Sequence, residues 1–295
     1  MISAKLVKEL RDRTGAGMMD CKKALEATDG NIEEAITWLQ EKGISTAAKK
    51  AGRIAAEGLA KVVVEGNTGV VLELNAETDF VAKNDKFTGL LDSLASTFVK
   101  EKPADLEAAN NLVIDGSTVA DLVTQATATI GEKISLRRLE VVEKNDDEIF
   151  GDYTHMGGKI AALVVLKGGN DEVSHDVAMQ VASMSPQFIS RDDMPQEIVD
   201  KETDIQTEVL KNDESMANKP ENIRAGIVAG RVKKALQEIS LVDQPFFKDS
   251  SLSVDKMLNN ANAKVVSFVR YAVGEGIEKR EENFAEEIAS MTQAK

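Results

Sequence analysis

The residues best suited to recognition chemistry form a short loop at positions 77–83, with the sequence ETDFVAK. In it the acidic Asp79 stands directly beside the large aromatic Phe80. The loop falls between a predicted strand and a predicted helix, where a rigid scaffold often presents binding residues. An acid beside an aromatic suits insertion into a partner's pocket. The alternative is that Phe80 tucks under its own sheet while Asp79 caps the turn, and the local pattern alone favours that alternative.

Residue types for covalent catalysis or metal binding are scarce. The 295 residues include one cysteine, Cys21, and two histidines, His155 and His175. These do not supply the paired ligands of a zinc site, and the sequence contains neither of the common glycine-rich phosphate-binding motifs. Cys21 falls in a predicted helix, where a thiol is more often a small core residue than a nucleophile. We therefore expect no catalytic residue, no metal and no cofactor.

The charge balance points to a protein partner. The chain has 36 Lys and Arg residues against 50 Asp and Glu residues, a net charge of −14. Because affinity for nucleic acid comes largely from cationic side chains, we expect no nucleic-acid partner. The longest apolar run, at 161–166, is far shorter than the ~20 residues that cross a bilayer. The N-terminus lacks the apolar core of a signal peptide. We expect a cytoplasmic protein that does not bind a membrane.

The first 45 residues predict a small module of three helices. Ser3 and Asn31 are suitable N-terminal caps, and Gly43 is expected to end the third helix. Residues 46–57 follow as a basic linker. This linker is either a docking site for an acidic surface or a solvated helical connector, and the charge pattern leaves both open.

Two adjacent methionines, Met18 and Met19, open the second predicted helix after a Gly-x-Gly loop. Methionine is favoured at adaptable recognition surfaces because its side chain is flexible and polarisable. In a domain this small, the pattern nevertheless favours core packing of one of the two.

From residue 58 the pattern changes to strands and helices. Two units, each a hairpin followed by a helix and completed by an Arg-bearing strand, predict a degenerate internal duplication. One core subdomain covers 58–143, and the other covers 144–190 together with 240–274. Between the last two pieces, 191–239 predicts a helical hairpin. Its outer surface is either a site of self-association or packed back on the second subdomain.

Five segments in order carry a resemblance to a known family. They are residues 6–24 (LVKELRDRTGAGMMDCKKA), 77–83 (ETDFVAK), 130–138 (IGEKISLRR), 153–158 (YTHMGG) and 268–279 (FVRYAVGEGIEK). Together they resemble translation elongation factor Ts of the bacterial type, over essentially the whole chain. The resemblance implies an α+β fold with an N-terminal module like ubiquitin-associated (UBA) domains, a duplicated core of antiparallel sheet and helix, an inserted helical hairpin, and a C-terminal helical module at 275–295.

The resemblance also implies a function without covalent chemistry. Members of the family are guanine-nucleotide exchange factors that bind elongation factor Tu in its GDP-bound and nucleotide-free forms. Their Asp-Phe pair enters the partner near its magnesium site, which disturbs Mg²⁺ and phosphate binding and releases GDP. The residues of this chain that match the family's inserting loop are Thr78, Asp79, Phe80 and Val81. The resemblance therefore implies an exposed Phe80 in place of a tucked one. The other implied partner contacts are Lys8, Met18, Lys22, Lys50, Ile130, Gly131, His155 and Phe247.

The sequence leaves two other functions and the oligomeric state open. An adaptor or holdase would act through the exposed apolar residues of the N-terminal module and the hairpin, with binding insensitive to GDP. An enzyme would use His155 as general base beside Asp152. Members of the family differ in self-association, so a homodimer through the helical hairpin is a further candidate interaction.

Overall fold

The computed structural model describes residues 2–216 and 219–278, and the predicted α+β class is confirmed. The chain forms two compact units. The first contains Met1–Ala60, Leu72–Leu139 and Ala272–Lys295, and the second contains Lys61–Val71 and Glu140–Tyr271. In the part of the chain that is described, no helix is both long enough and apolar enough to span a bilayer.

The described residues begin with three helices, after which helices and short strands are mixed. The first half comprises α1 (Ala4–Thr14), α2 (Met18–Ala27), α3 (Ile32–Lys50), β1 (Glu57–Glu65), β2 (Thr68–Ala76), α4 (Asp85–Glu101), α5 (Leu106–Asn111), β3 (Val113–Ile114), β4 (Ser117–Thr118), α6 (Val119–Ile130) and β5 (Ser135–Glu143). The second half comprises β6 (Glu148–His155), β7 (Ile160–Lys167), α7 (Asp171–Met184), α8 (Gln196–Lys211), α9 (Glu221–Glu238), β8 (Pro245–Phe246), β9 (Asp249–Ser253), α10 (Val254–Asn260) and β10 (Lys264–Ala272).

The N-terminal helices begin where their capping residues predict. Ser3 accepts a hydrogen bond from the Leu6 N–H at 3.2 Å, and Asn31 accepts from two N–H groups at the start of α3. Such side-chain acceptors satisfy backbone donors that have no partner within the helix. The three helices pack around a small core, which includes the buried Cys21 in the structural role predicted for it.

The prediction that Gly43 ends the third helix is wrong. The helix α3 continues to Lys50, so the first residues of the predicted linker are helical. Gly43 is buried, and a Cβ atom at this position would lie 3.3 Å from the Cβ of Ala128 on α6. The glycine therefore allows α3 and α6 to pack closely, and this contact outweighs the low helix propensity of glycine.

The strands form two three-stranded sheets of the same construction. Their strand orders are β1-β2-β5 and β10-β7-β6. In each, a hairpin is joined by a later strand that lies beside the hairpin's second strand, and a helix, α4 or α7, follows the hairpin. In the second sheet β6 and β7 are antiparallel, with Glu148 opposite Lys167 and His155 opposite Ile160. The predicted hairpins, helices and Arg-bearing strands are confirmed, while their origin by duplication stays a prediction.

The helical hairpin predicted after Pro195 is also confirmed, because α8 packs on α9. A bidentate ion pair joins the segment before α8 to the segment after α9. Arg191 donates from Nε and Nη2 to the carboxylate of Asp243, at 2.8 and 2.9 Å. Hydrogen bonding from this guanidinium holds the pKa of Asp243 below its usual range. Apolar contacts among Met194, Val232 and Leu236 complete the root of the hairpin.

In the first unit a buried carboxylate, Glu73 on β2, joins segments that are distant in sequence. It accepts hydrogen bonds from Arg137 at 3.1 Å and Arg138 at 2.6 Å, both on β5. It also accepts the Gly274 N–H at 2.8 Å. Gly274 has a φ of +75°, and a Cβ there would lie 2.2 Å from the carbonyl oxygen of Ala56, so only glycine fits. Removing Glu73 therefore takes the acceptor away from the buried Gly274 N–H and from two partly buried arginines.

We expect Glu73→Gln to lower the free energy of unfolding by about 2–4 kcal/mol, because it removes the buried negative charge that accepts from Arg137 and Arg138. Urea unfolding followed by circular dichroism measures this change. The control is Glu65→Gln, which removes a charge from an exposed position of β1. Equal stability of the two variants would contradict the role given to Glu73.

The same carboxylate predicts a pH dependence. Burial raises the pKa of Glu73, but the hydrogen bonds from Gly274, Asn75 and the two arginines outweigh burial and lower it below its ordinary value of 4.5. The folded state thus binds this proton less readily than the unfolded chain. The stability difference between wild type and Glu73→Gln should be full above pH 4.5 and shrink as the pH falls through the lowered pKa. A difference that grows on acidification would refute this.

Candidate functional site

The loop at 77–83 holds its aromatic residue in solvent. The side chain of Phe80 is 79% exposed, whereas the next two residues, Val81 and Ala82, are buried. Asp79 is also largely exposed, and its carboxylate lies 4.0 Å from the Lys83 amine. The interpretation that Phe80 tucks under its own sheet is therefore wrong. The buried pair Val81 and Ala82 supplies the apolar packing of the loop, which leaves Phe80 free to point outward.

Two carboxylates hold the start of this loop against the segment that follows α6. Glu132 accepts the Thr78 N–H at 2.9 Å and the Thr78 hydroxyl at 2.7 Å. In the reverse direction Glu77 accepts the Lys133 N–H at 2.6 Å, and it also pairs with Arg53 at 3.2 Å. We call these contacts between residues 77–78 and 132–133 the carboxylate clasp. Hydrogen bonds to charged acceptors are stronger than neutral ones, so the clasp fixes the position of Thr78.

The end of α6 brings further predicted contact residues to the same place. Ile130 is the last residue of α6, and Gly131 ends the helix with a φ of +90°. The Lys50 amine, at the end of α3, donates to the Gly131 carbonyl. Thus Lys50, Ile130 and Gly131 adjoin the clasp that carries Thr78.

The N-terminal helices of the first unit present the remaining predicted contacts of that unit. Met18 and Met19 are 55% and 63% exposed, so the expectation that one packs in the core is wrong. The small core of the three helices is filled by other side chains. Lys8 is exposed on α1, and the exposed Lys22 on α2 lies 3.7 Å from a glutamate one turn further on.

A lysine connects these helices to the element that follows the loop. The Lys86 amine, in the first turn of α4, donates to the Gly15 carbonyl at 2.7 Å. Gly15 ends α1 in the left-handed conformation, just before the methionine pair. The start of α4 therefore fixes both the end of the 77–83 loop and the loop that precedes α2.

In the second unit His155 ends strand β6 beside other rings. Its Nδ1 atom lies 3.3 Å from the Tyr153 hydroxyl, and Tyr153 also contacts His175 edge to face. The next residue, Met156, is 71% exposed with a φ of +49°. Met156 is thus an exposed apolar residue in the turn between β6 and β7.

The geometry gives no support to an enzyme that uses His155 with Asp152. Residues three apart on a strand face opposite sides of the sheet, so the two side chains diverge. The carbonyl of Asp152 instead meets Nδ1 of His175 at 3.0 Å. Across residues 2–216 and 219–278, no group of three or more His, Cys, Asp or Glu side chains is arranged to hold a metal ion.

Phe247, the last predicted contact, is held by a buried glutamine. The side chain of Gln180, on α7, is fully buried, and its Oε1 atom accepts the Phe247 N–H at 2.9 Å. Its amide donates at 3.0 Å to Gln244, which is also buried. Phe247 itself stacks edge to face on Phe246 and stays partly exposed.

Sequence reasoning missed the residues that position this site. Glu77 and Glu132 lie within quoted motifs, yet the sequence assigns them no task because their contacts join distant segments. Lys86 and Gln180 lie outside the motifs, and local pattern carries no signal for either. The predicted contact residues could thus be named from the sequence, whereas the side chains that position them could not.

The described residues form a fold of the α+β class, and comparison with known proteins gives the family of the chain. The family described as Elongation factor TS matches residues 77–275, beginning at the first residue of the loop. A protein named Elongation factor Ts from Acholeplasma laidlawii (strain PG-8A) is 54% identical over 291 residues, 98% of each chain. Another of that name, from Pediococcus pentosaceus, is 52% identical over 287 residues, 97% of each chain.

The chain belongs to the elongation factor Ts family. It is therefore an elongation factor of protein biosynthesis, and the resemblance seen in the five sequence segments is confirmed. The roles of individual site residues and the mechanism are proposals.

We expect Gln180→Met to lower the free energy of unfolding by about 1–3 kcal/mol, because it leaves the Phe247 N–H and the Oε1 atom of Gln244 without their partners. Thermal and urea unfolding measure the loss. Gln187→Met is the matched control, since Gln187 is exposed. If both substitutions had the same small effect, the buried network would not support Phe247.

Proposed function

We propose that this chain is the guanine-nucleotide exchange factor of elongation factor Tu in translation elongation, and that Asp79 and Phe80 are its invasive residues. It binds the GDP-bound and nucleotide-free forms of its partner. The observation that carries the proposal is the outward position of Phe80, 79% exposed on a loop held by Thr78 on one side and by the buried Val81 on the other. An aromatic side chain left in water loses favourable burial, and insertion into a partner recovers it.

The mechanism follows from how Mg²⁺ is held. This ion requires near-ideal octahedral coordination and binds nucleotide phosphates together with a few protein oxygens. Phe80, wedged between elements of the partner near that ion, shifts its surroundings, and Asp79 enters beside it as a competing negative charge. Coordination of Mg²⁺ and phosphate is weakened, and GDP leaves. The factor acts by binding alone and is not an enzyme.

Thermodynamic linkage states what such a factor must do. If the factor weakens GDP binding to elongation factor Tu, GDP must weaken binding of the factor by the same ratio. The factor therefore binds nucleotide-free partner more tightly than GDP-bound partner. An adaptor or holdase has no such requirement, so the effect of GDP on affinity distinguishes the two functions.

The remaining assignments extend the same proposal. The additional partner contacts are Lys8, Met18, Lys22, Lys50, Ile130, Gly131, His155 and Phe247, with Thr78 and Val81 flanking the invasive pair.

We assign a UBA-like module to 1–45 and the connecting segment to 46–57. Core subdomains cover 58–143 and 144–190 with 240–274, while 191–239 is the hairpin and a candidate surface for a homodimer. The C-terminal helical module assigned to 275–295 lies beyond residue 278 for most of its length, outside the described residues. We infer a cytoplasmic location, where translation takes place.

We expect Phe80→Ala to slow the release of labelled GDP from elongation factor Tu by about tenfold or more at limiting factor, since a buried aromatic anchor contributes about 2 kcal/mol or more. Stopped-flow fluorescence measures the rate. The control is Val113→Ala, which shortens another exposed apolar side chain of the first unit, 64% exposed.

A Phe80→Ala variant that releases GDP at the wild-type rate would exclude the insertion of Phe80. A titration of elongation factor Tu with the wild-type chain, with and without saturating GDP, tests the wider proposal. Affinity that is the same in both conditions would favour the adaptor over the exchange factor.

A further inference from the structure

We infer that Glu132 is a positioning residue for the Asp79–Phe80 pair, acting through the carboxylate clasp and not through contact with the partner. The inference rests on the proposed function, because it concerns how the invasive loop is presented. Glu132 lies just after α6, 54 residues from Thr78 in sequence, yet its two carboxylate oxygens accept two separate donors of Thr78.

The pair of hydrogen bonds restrains Thr78 in both position and orientation. The N–H donor fixes the main chain, and the hydroxyl donor fixes the side chain of the same residue. A single hydrogen bond would leave rotation about its own axis, whereas two bonds to different oxygen atoms do not. Since Thr78 is bonded directly to Asp79, the direction in which the invasive pair leaves the scaffold is set at Glu132.

The other end of the loop is fixed independently. Val81 and Ala82 are buried, and Asn84 caps α4 by accepting the Lys86 N–H at 2.9 Å. Asp79 and Phe80 are therefore two exposed side chains between two fixed points. Ordering a loop during binding costs conformational entropy, and a loop ordered beforehand avoids that cost.

Further hydrogen bonds hold the segment that carries Glu132. Glu77 accepts the N–H of Lys133, and the Lys133 amine donates to the carbonyls of Ala51 and Arg53 at 2.7 and 2.9 Å. The segment after α6 is thus hydrogen-bonded both to the loop and to the residues that follow α3. A change at Glu132 should free the loop while these other fastenings keep the segment in place.

A double-mutant cycle tests the inference, with GDP release from elongation factor Tu measured for wild type, Glu132→Ala, Phe80→Ala and the double variant. If Glu132 acts only by presenting Phe80, Glu132→Ala slows release about tenfold in the wild-type background. In the Phe80→Ala background it changes the rate by less than about twofold, because nothing remains to be presented. Glu132→Gln, which keeps one acceptor oxygen, should restore part of the rate.

Amide hydrogen exchange measured by mass spectrometry supplies a readout that does not depend on the partner. Residues 78–82 should exchange faster in Glu132→Ala, while α4 and α6 keep their protection, which also shows that the variant is folded. Glu101→Ala, at an exposed position of α4, is the charge-matched control.

The outcomes separate the two proposals. Wild-type GDP release by Glu132→Ala, or an equal slowing in both backgrounds, overturns the positioning role. Unchanged release by Phe80→Ala overturns the insertion of Phe80. Unchanged exchange at residues 78–82 in Glu132→Ala shows that the carboxylate does not order the loop, and this also overturns the inference.

Discussion

The constraint on which the first unit depends is that a carboxylate removed from water must be surrounded by donors. Glu73 meets this constraint by recruiting them from three places: the neighbouring Asn75, the two arginines of β5, and the main chain at Gly274. Each donor belongs to a segment that must be in place before the charge is compensated. The buried charge therefore joins β2, β5 and the chain after β10 through one side chain.

Carboxylates also accept hydrogen bonds at the exposed loop, where they hold the loop in place. Glu77 and Glu132 are only partly buried, and their charge-assisted hydrogen bonds hold residues 77–78 against the segment after α6. An exposed aromatic residue can point outward only if something else holds its loop. Here that task is divided between carboxylates on one side of Phe80 and small apolar side chains on the other.

Much of the secondary structure follows from short-range signals in the sequence. Ser3 and Asn31 mark helix starts because a cap is a contact between residues three or fewer positions apart. Gly43 shows where such reasoning fails, since a glycine within a helix and a glycine at its end look alike without Ala128 beside them. The burial of Phe80 was misjudged from local pattern for a related reason. Hydrophobicity favours a buried aromatic, and only resemblance to a family indicated otherwise. Glu132 was not predicted as a support at all, because its partner is distant in sequence.

The two hydrogen bonds that Glu132 accepts differ in what they demand of residue 78. One comes from the main chain, which every amino acid except proline provides, and the other comes from a hydroxyl group. Position 78 can therefore drift among many residue types and keep half of its attachment. Position 132 has no such latitude, because both bonds end on its side chain. A substitution at position 132 thus removes more of the loop's attachment than a substitution at Thr78, 54 positions earlier in the chain.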